Sequence, residues 1–230
     1  GKIVSALRIY PRVISMGQST LRCAGVGDVA TSPESQGRGF ASHLLRACVA
    51  HLKDLEFELA WLTGSTDFYH RFGWQPCSSP SFEVTEVGSA TATDRPITIR
   101  TAELPDDLPH IMRVYDRFNA GRIGTVVRSA SYWEWLDRHR ALWSDKRLRV
   151  LIAEAGREPS GYILVQEHPT EWRILEAAST QPDGSEIGAL VSAASWMAIE
   201  SNAGRIRGVL PYDGAFTAGL LSAGLSGRLT

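Results

Sequence analysis

The chain opens with runs that read as strands. Lys2–Tyr10 is apolar and rich in β-formers, Arg12–Met16 continues it, and Gly17-Gln18-Ser19 makes a turn. Leu21–Thr31 is a second strand that stops at Pro33. The pattern then changes. Phe40, Leu44, Leu45, Cys48, Val49 and Leu52 recur at three- and four-residue steps, which predicts a helix over 42–55. Phe57–Thr63 is apolar on both faces and predicts a central strand. Thr66–Phe72 predicts a short helix stopped at Gly73. Ser81–Val87 carries Phe82, Val84, Thr85 and Val87 in a pattern that predicts a closing strand. Small and polar residues from Gly88 to Asp94 mark a boundary, so domains are expected at 1–93 and 94–230.

The second half predicts a strand at Ile97–Arg100 and a helix started by Pro105-Asp106-Asp107 that runs through Leu108, Ile111, Met112 and Tyr115. A helix rich in aromatics follows over 131–142. Strands are then expected at Leu148–Glu154, Gly161–Glu167 and Trp172–Ala178. An alanine-rich helix over Gly188–Glu200, a strand at Ile206–Leu210 and a short helix at Phe216–Leu221 complete the order. The fold class is α/β.

Composition narrows this picture only slightly. The 230 residues are 43% hydrophobic and 21% charged with formal net charge −1, the profile of a globular protein of one large or two small domains. That charge gives no general attraction to nucleic acid or to anionic membrane. No apolar run approaches the roughly twenty residues of a membrane span. Three cysteines, Cys23, Cys48 and Cys77, are odd in number and lack metal-ligand spacing, so a reduced, cytoplasmic setting without metal is the expectation.

The informative stretch is Gly27–Ala41. A strand turns through Ser32-Pro33, crosses Gln36-Gly37-Arg38-Gly39 and enters the helix. The first N–H groups of a helix have no partner within it, and the helix dipole adds partial positive charge there. Gly37 and Gly39 let the backbone approach a phosphate, and Arg38 adds a full charge. The loop is therefore expected to bind a pyrophosphate. It is not a P-loop, because no Gly-Lys-Ser/Thr follows, and it lacks the third glycine of a dinucleotide fingerprint.

Gln36-Gly37-Arg38-Gly39-Phe40-Ala41 fits Gln/Arg-x-x-Gly-x-Gly/Ala and resembles the acyl-CoA loop of the GNAT superfamily of N-acetyltransferases. Val29–Glu34 resembles the strand and turn that lead into it. One strand further on, Phe68-Tyr69-His70-Arg71-Phe72-Gly73-Trp74 resembles the segment that bears that family's acid tyrosine. The resemblance covers residues 1–77 and is nearest to the tandem-domain enhanced intracellular survival (Eis) branch. It implies two GNAT-like domains, each a mixed, mostly antiparallel sheet flanked by helices. Such a domain usually starts with a strand and two helices. This chain opens at the second strand, so an N-terminally incomplete first domain is expected. The second half repeats the element order without the glycine loop. Asp183 and Glu186 stand where a pyrophosphate would lie, and a scaffold that has lost the cofactor is expected there.

The resemblance implies acetyl-CoA as co-substrate, bound through Val29, Ala30, Thr31, Gln36, Gly37, Arg38, Gly39, Phe40, Ala41 and Ser42. Backbone N–H groups at Val29 and Ala30 would polarise the thioester carbonyl, and Thr31 would lie beside the pantetheine arm. Tyr69 is the candidate acid. A phenol is protonated at pH 7 and can donate to a departing thiolate; without the motif, an aromatic between Phe68 and Phe72 would read as a packing residue. No base stands out. Asp28 and Glu34 flank the strand end, but Asp28 and Val29 have opposite parity and reach one cleft only if a bulge intervenes. The expected activity is direct transfer of an acetyl group to a primary amine on a small molecule or peptide, with homo-oligomerisation open. The competing reading is a non-catalytic acyl-CoA binding or sensing module.

Overall fold

The computed structural model describes all residues except 78–80, 88–95, 139–146, 157, 213–216, 218–220, 222–223 and 230. It divides into two compact units. The first comprises Gly1–Ser78 with Gly121–Arg128, and the second Ser79–Ala120 with Ser129–Thr230.

In the first unit β1 (Ser5–Met16) and β2 (Ser19–Thr31) form a long antiparallel hairpin, as the period-two pattern and the Gly17 turn require. Gly17 has φ 71°, the left-handed conformation such a tight turn uses. Helix α1 (Phe40–Asp54) buries Leu45, Cys48 and Leu52 against Ala24 and Val26 of β2. Strand β3 (Leu59–Trp61) lies parallel to β2, giving the order β1-β2-β3. Helix α2 (Thr66–Tyr69) and a 3-10 turn over His70–Phe72 follow, ended by Gly73 at φ 99°.

Two expectations fail here. The segment 57–63 is not a central strand. Only three of its residues pair, at the edge of the sheet among the described residues, with Leu59 and Trp61 43% and 50% exposed. Its apolar run reflects Phe57, Ala60 and Leu62 packing on the helix side, not a strand covered on both faces. Nor does β4 (Ser81–Val87) close the first sheet. It pairs antiparallel with 206–211 and 225–229 of the second.

The second unit holds a seven-stranded sheet of order β10-β4-β9-β8-β7-β6-β5. Its strands are β5 (Ile97–Thr101), β6 (Leu148–Ala155), β7 (Glu158–Gln166), β8 (Trp172–Ser179), β9 (Ile206–Pro211) and β10 (Leu225–Leu229), together with β4. All neighbours are antiparallel except β8 and β9. Strand β7 is buried at every position from Pro159 to Val165, the signature of cover on both faces. Helices α3 (Leu108–Asn119) and α5 (Ser185–Glu200) pack on it, and α4 (Ala130–Arg138) contributes Trp133 to the core. The remainder of the helix expected over 131–142, most of the one over 216–221 and all of the boundary segment 88–94 lie outside the described residues. Among the described residues no helix is long and apolar enough to cross a membrane.

Candidate active site

Strand β2 is paired with β1 along its whole length but with β3 only at Cys23, Ala24 and Gly25. Arg22 and Glu58 close the near end: the Arg22 N–H donates to Glu58 Oε2 at 2.8 Å, and the Glu58 N–H to the Arg22 carbonyl at 3.0 Å. The pairing stops at Gly25 because β3 ends at Trp61, while β2 runs on to Thr31. The β3-side backbone of Val26–Thr31 therefore has no sheet partner among the described residues.

The bulge on which the parity of Asp28 depends is present. The β1–β2 register shifts between Ala6 and Arg8, and Asp28 has φ 52°. A non-glycine residue in that region is uncommon, and aspartate tolerates it better than most. The shift turns Val29 into the apolar cluster beside α1, where it joins Ala60, Leu62 and Tyr69. Asp28 stays exposed. Its Oδ2 accepts the Tyr10 hydroxyl at 2.6 Å and lies 3.5 Å from Arg8. The signal in the sequence was the Gly27-Asp28 pair, two residues that tolerate such backbone, set inside an otherwise regular strand. Glu34, by contrast, is a turn residue. It pairs with Lys2 at 2.7 Å, which holds its carboxyl below the usual range.

The loop is built as its residue types dictate. A 3-10 turn over Pro33–Ser35 buries Ser35, and the Gln36 side chain donates to the Thr31 carbonyl at 3.2 Å, tying the loop to the strand end. Thr31 Oγ1 and Ser5 Oγ are hydrogen-bonded at 3.0 Å. Ala30 faces Ala6 of β1. Gly37 (φ 73°) and Gly39 (φ 81°) both take the left-handed conformation, and a Cβ at Gly37 would meet open space. Gly39 is the N-cap of α1 and offers no side-chain oxygen. The first helical hydrogen bond runs from the His43 N–H to the Gly39 carbonyl at 3.0 Å, and His43 Nδ1 lies at 3.0 Å from the same oxygen. The N–H groups of Phe40, Ala41 and Ser42 precede it and have no partner within the helix. Arg38 is exposed, its guanidinium 5.1 Å from the Phe40 ring centre. Every residue of the expected cofactor set thus falls on one strand end, one loop and one helix start.

Tyr69 is half-buried, edge-on to Phe68 at 5.0 Å and to Trp74 at 6.3 Å between ring centres. Its ring lies against Gly64, where an added Cβ would stand 2.3 Å from Cε2. Nothing in the residue pattern around Gly64 signals this contact.

The second unit repeats the geometry with different chemistry. β8 and β9 pair in parallel only at Trp172, Arg173 and Ile174, then part, and α5 begins at Gly184 with φ 71°. Here protein carboxylates occupy the helix start. Asp183 Oδ1 accepts the Ser185 N–H at 3.1 Å and its hydroxyl at 2.8 Å. Glu186 is 1% exposed and accepts the Ser179 hydroxyl. Among the described residues no cluster of three or more His, Cys, Asp or Glu could hold a metal ion.

Residues 1–77 match the family described as acetyltransferase (GNAT) domain. No curated protein matches. Among solved structures, the chain is similar to a conserved protein of unknown function and probable N-acyltransferase from Enterococcus faecalis V583. Identity there is 19% over 98% of this chain and 57% of that one, with a TM-score of 0.72. It is similar to a GCN5-related N-acetyltransferase from Kribbella flavida at 18% identity, covering 100% of this chain and 54% of that one, TM-score 0.68. Eis1 from Mycobacterium abscessus matches at 17% identity over 94% of this chain and 56% of that one, TM-score 0.60. The chain spans a little over half the length of these proteins, and the likeness is one of fold.

Proposed function

We infer, from the place of residues 1–77 in the GNAT superfamily, that the chain carries the acetyl-CoA site of an N-acetyltransferase and moves an acetyl group directly to a primary amine. The observation that carries this reading is the stretch of β2 that runs past the end of β3 from Val26 to Thr31, with a bulge in it and a glycine-capped helix after it. That stretch offers backbone N–H groups to a pantetheine arm. The start of α1 offers unpaired N–H groups and a positive dipole end to a pyrophosphate, with Arg38 beside it.

In this reading the cofactor set runs from Val29, Ala30 and Thr31 through Gln36, Gly37, Arg38 and Gly39 to Phe40, Ala41 and Ser42. A Val29 or Ala30 N–H donates to the thioester oxygen. A fixed donor at a developing oxyanion is worth about 3–4 kcal/mol. The neutral amine nitrogen attacks the thioester carbon and the C–S bond breaks; Tyr69 donates its hydroxyl proton to the thiolate, the nitrogen releases its extra proton to water, and the tyrosinate regains a proton from solvent. Val29 and Tyr69 share one apolar cluster, which supports these two roles. The acceptor is a small molecule or a peptide. In this scheme the first unit holds the catalytic site, and the second is a GNAT-like scaffold in which Asp183 and Glu186 exclude a second pyrophosphate.

Calorimetric titration with acetyl-CoA tests the reading. The chain should bind in the micromolar range, and a Gly37→Glu/Gly39→Glu variant that remains folded should not bind. Equal affinity in the two proteins would remove the loop from the cofactor site.

A further inference from the structure

Phe72, in the 3-10 turn after α2, carries two arginines. The guanidinium carbons of Arg46 and Arg71 each lie 5.6 Å from its ring centre, and that of Arg71 lies 4.9 Å from Phe68. Both residues are exposed. Arg71 Nε donates to the Phe68 carbonyl at 3.3 Å, which fixes that side chain over the ring. Neither arginine has a carboxylate partner among the described residues. The contrast within the molecule is plain: Arg100, Arg149 and Arg173 each hold a glutamate or aspartate within 3 Å. Two cations held at one ring without a counter-charge repel each other, and an arriving dianion relieves that repulsion.

Topology puts the segment that bears Arg71 at the same end of the sheet as the glycine loop. β2 and β3 run parallel, so the segments that leave their carboxyl ends emerge at the same end of the sheet. One is the glycine loop and the start of α1; the other is 62–72. Arg46 lies seven residues beyond Gly39, roughly 10 Å along the helix. Long helical side chains lean back toward the N-terminus, which shortens that reach. A ligand held at that end of the sheet would have the start of α1 and the segment 62–72 within the reach of long side chains.

We propose that Arg46 and Arg71, presented on Phe72, bind the 3′-phosphate of coenzyme A. The proposal rests on the acetyl-CoA reading above and makes that site selective for coenzyme A over carriers that lack this phosphate. Arginine forks suit a phosphate dianion, and stacking on an aromatic ring leaves their outer N–H groups free to donate.

Calorimetry with acetyl-CoA and 3′-dephospho-acetyl-CoA tests it, on the native chain and on an Arg46→Gln/Arg71→Gln variant whose fold is checked by circular dichroism. The native chain should bind acetyl-CoA about ten-fold or more tighter than the dephospho form. The variant should bind both with the affinity the native chain has for the dephospho form, and raising salt should shrink the native preference. Equal affinity of the native chain for the two ligands would overturn the proposal and leave the loop reading standing. So would a variant that weakens both ligands alike. Failure of the native chain to bind either would overturn both.

Discussion

Gly64→Ala is the sharpest probe of Tyr69. The added methyl would stand 2.3, 3.0 and 3.3 Å from Cε2, Cδ2 and Cζ of the tyrosine ring. Carbon atoms are at ease at about 3.5–4.0 Å, so the ring must retreat by about 1 Å or more. Phe68 and Trp74 stand edge-on to it, which limits where it can go. Gly64 does not have the positive φ that would penalise alanine, so the effect is steric. Overpacking of this kind costs about 1–3 kcal/mol, toward the lower end here because the ring is only half-buried. If Tyr69 delivers the proton, an acid displaced by 1 Å costs about 100-fold in turnover. The assay is thiol release from acetyl-CoA with a primary amine identified by an acceptor screen, paired with calorimetry of acetyl-CoA. Turnover should fall about 100-fold while affinity for acetyl-CoA changes little. Tyr69→Phe should fall comparably, and the double variant should be no worse than Tyr69→Phe alone, because both changes remove the same proton. Unchanged turnover in Gly64→Ala, or losses that multiply in the double variant, would refute the acid role.

Two further predictions concern the second unit. A Cβ on Gly208 would lie 2.5 Å from Ile174 Cβ, an atom tied to its own backbone, so Gly208→Ala should destabilise by at least about 1–3 kcal/mol and lower the midpoint of a denaturant melt. Asp107 is held below the ordinary carboxylate range, first by Arg100, which donates at 2.6 and 2.8 Å, and also by the Glu103 N–H at 2.7 Å. A depressed carboxylate contributes fully above its unfolded value, about 4, and its contribution fades as pH falls through the lower folded value. Melts taken from pH 5 down to pH 2 should therefore lose stability in the native chain and lose less in Asp107→Asn.

The residues that carry local chemistry were legible early. Gly37, Gly39 and the three- and four-residue spacing from Phe40 to Leu52 define the loop and α1 with no outside information, and the structure has both. What stayed hidden depends on neighbours distant in the chain. Ser81–Val87 alternates like any strand, and alternation says that a strand needs a sheet without saying which sheet. Phe57–Thr63 looked covered on both faces, yet apolar composition cannot distinguish a central strand from a short edge piece with Trp61 half exposed. The bulge at Asp28 could be framed only as a condition, since its cause is the register against β1. The contact between Tyr69 and Gly64 depends on a ring orientation that no periodicity encodes.

The outer edge of β1 bears on the order of assembly. Ser15 exchanges hydrogen bonds with Thr125 and Gly124 at 2.8 and 2.7 Å, and the Val127 N–H donates to the Val13 carbonyl at 2.8 Å. A segment some 110 residues downstream thus completes the first unit. During synthesis the first unit must wait for 50 further residues after Ser78 before that edge is covered, roughly 3–10 s at usual elongation rates. Over that interval the backbone of Val13 and Ser15 lacks the partners that 124–127 supply, and unpaired strand backbone is the kind that pairs with other chains. A protein cut after Ser78 would lack those partners permanently. The shortest chain that contains the whole first unit therefore extends to Arg128 and takes part of the second with it.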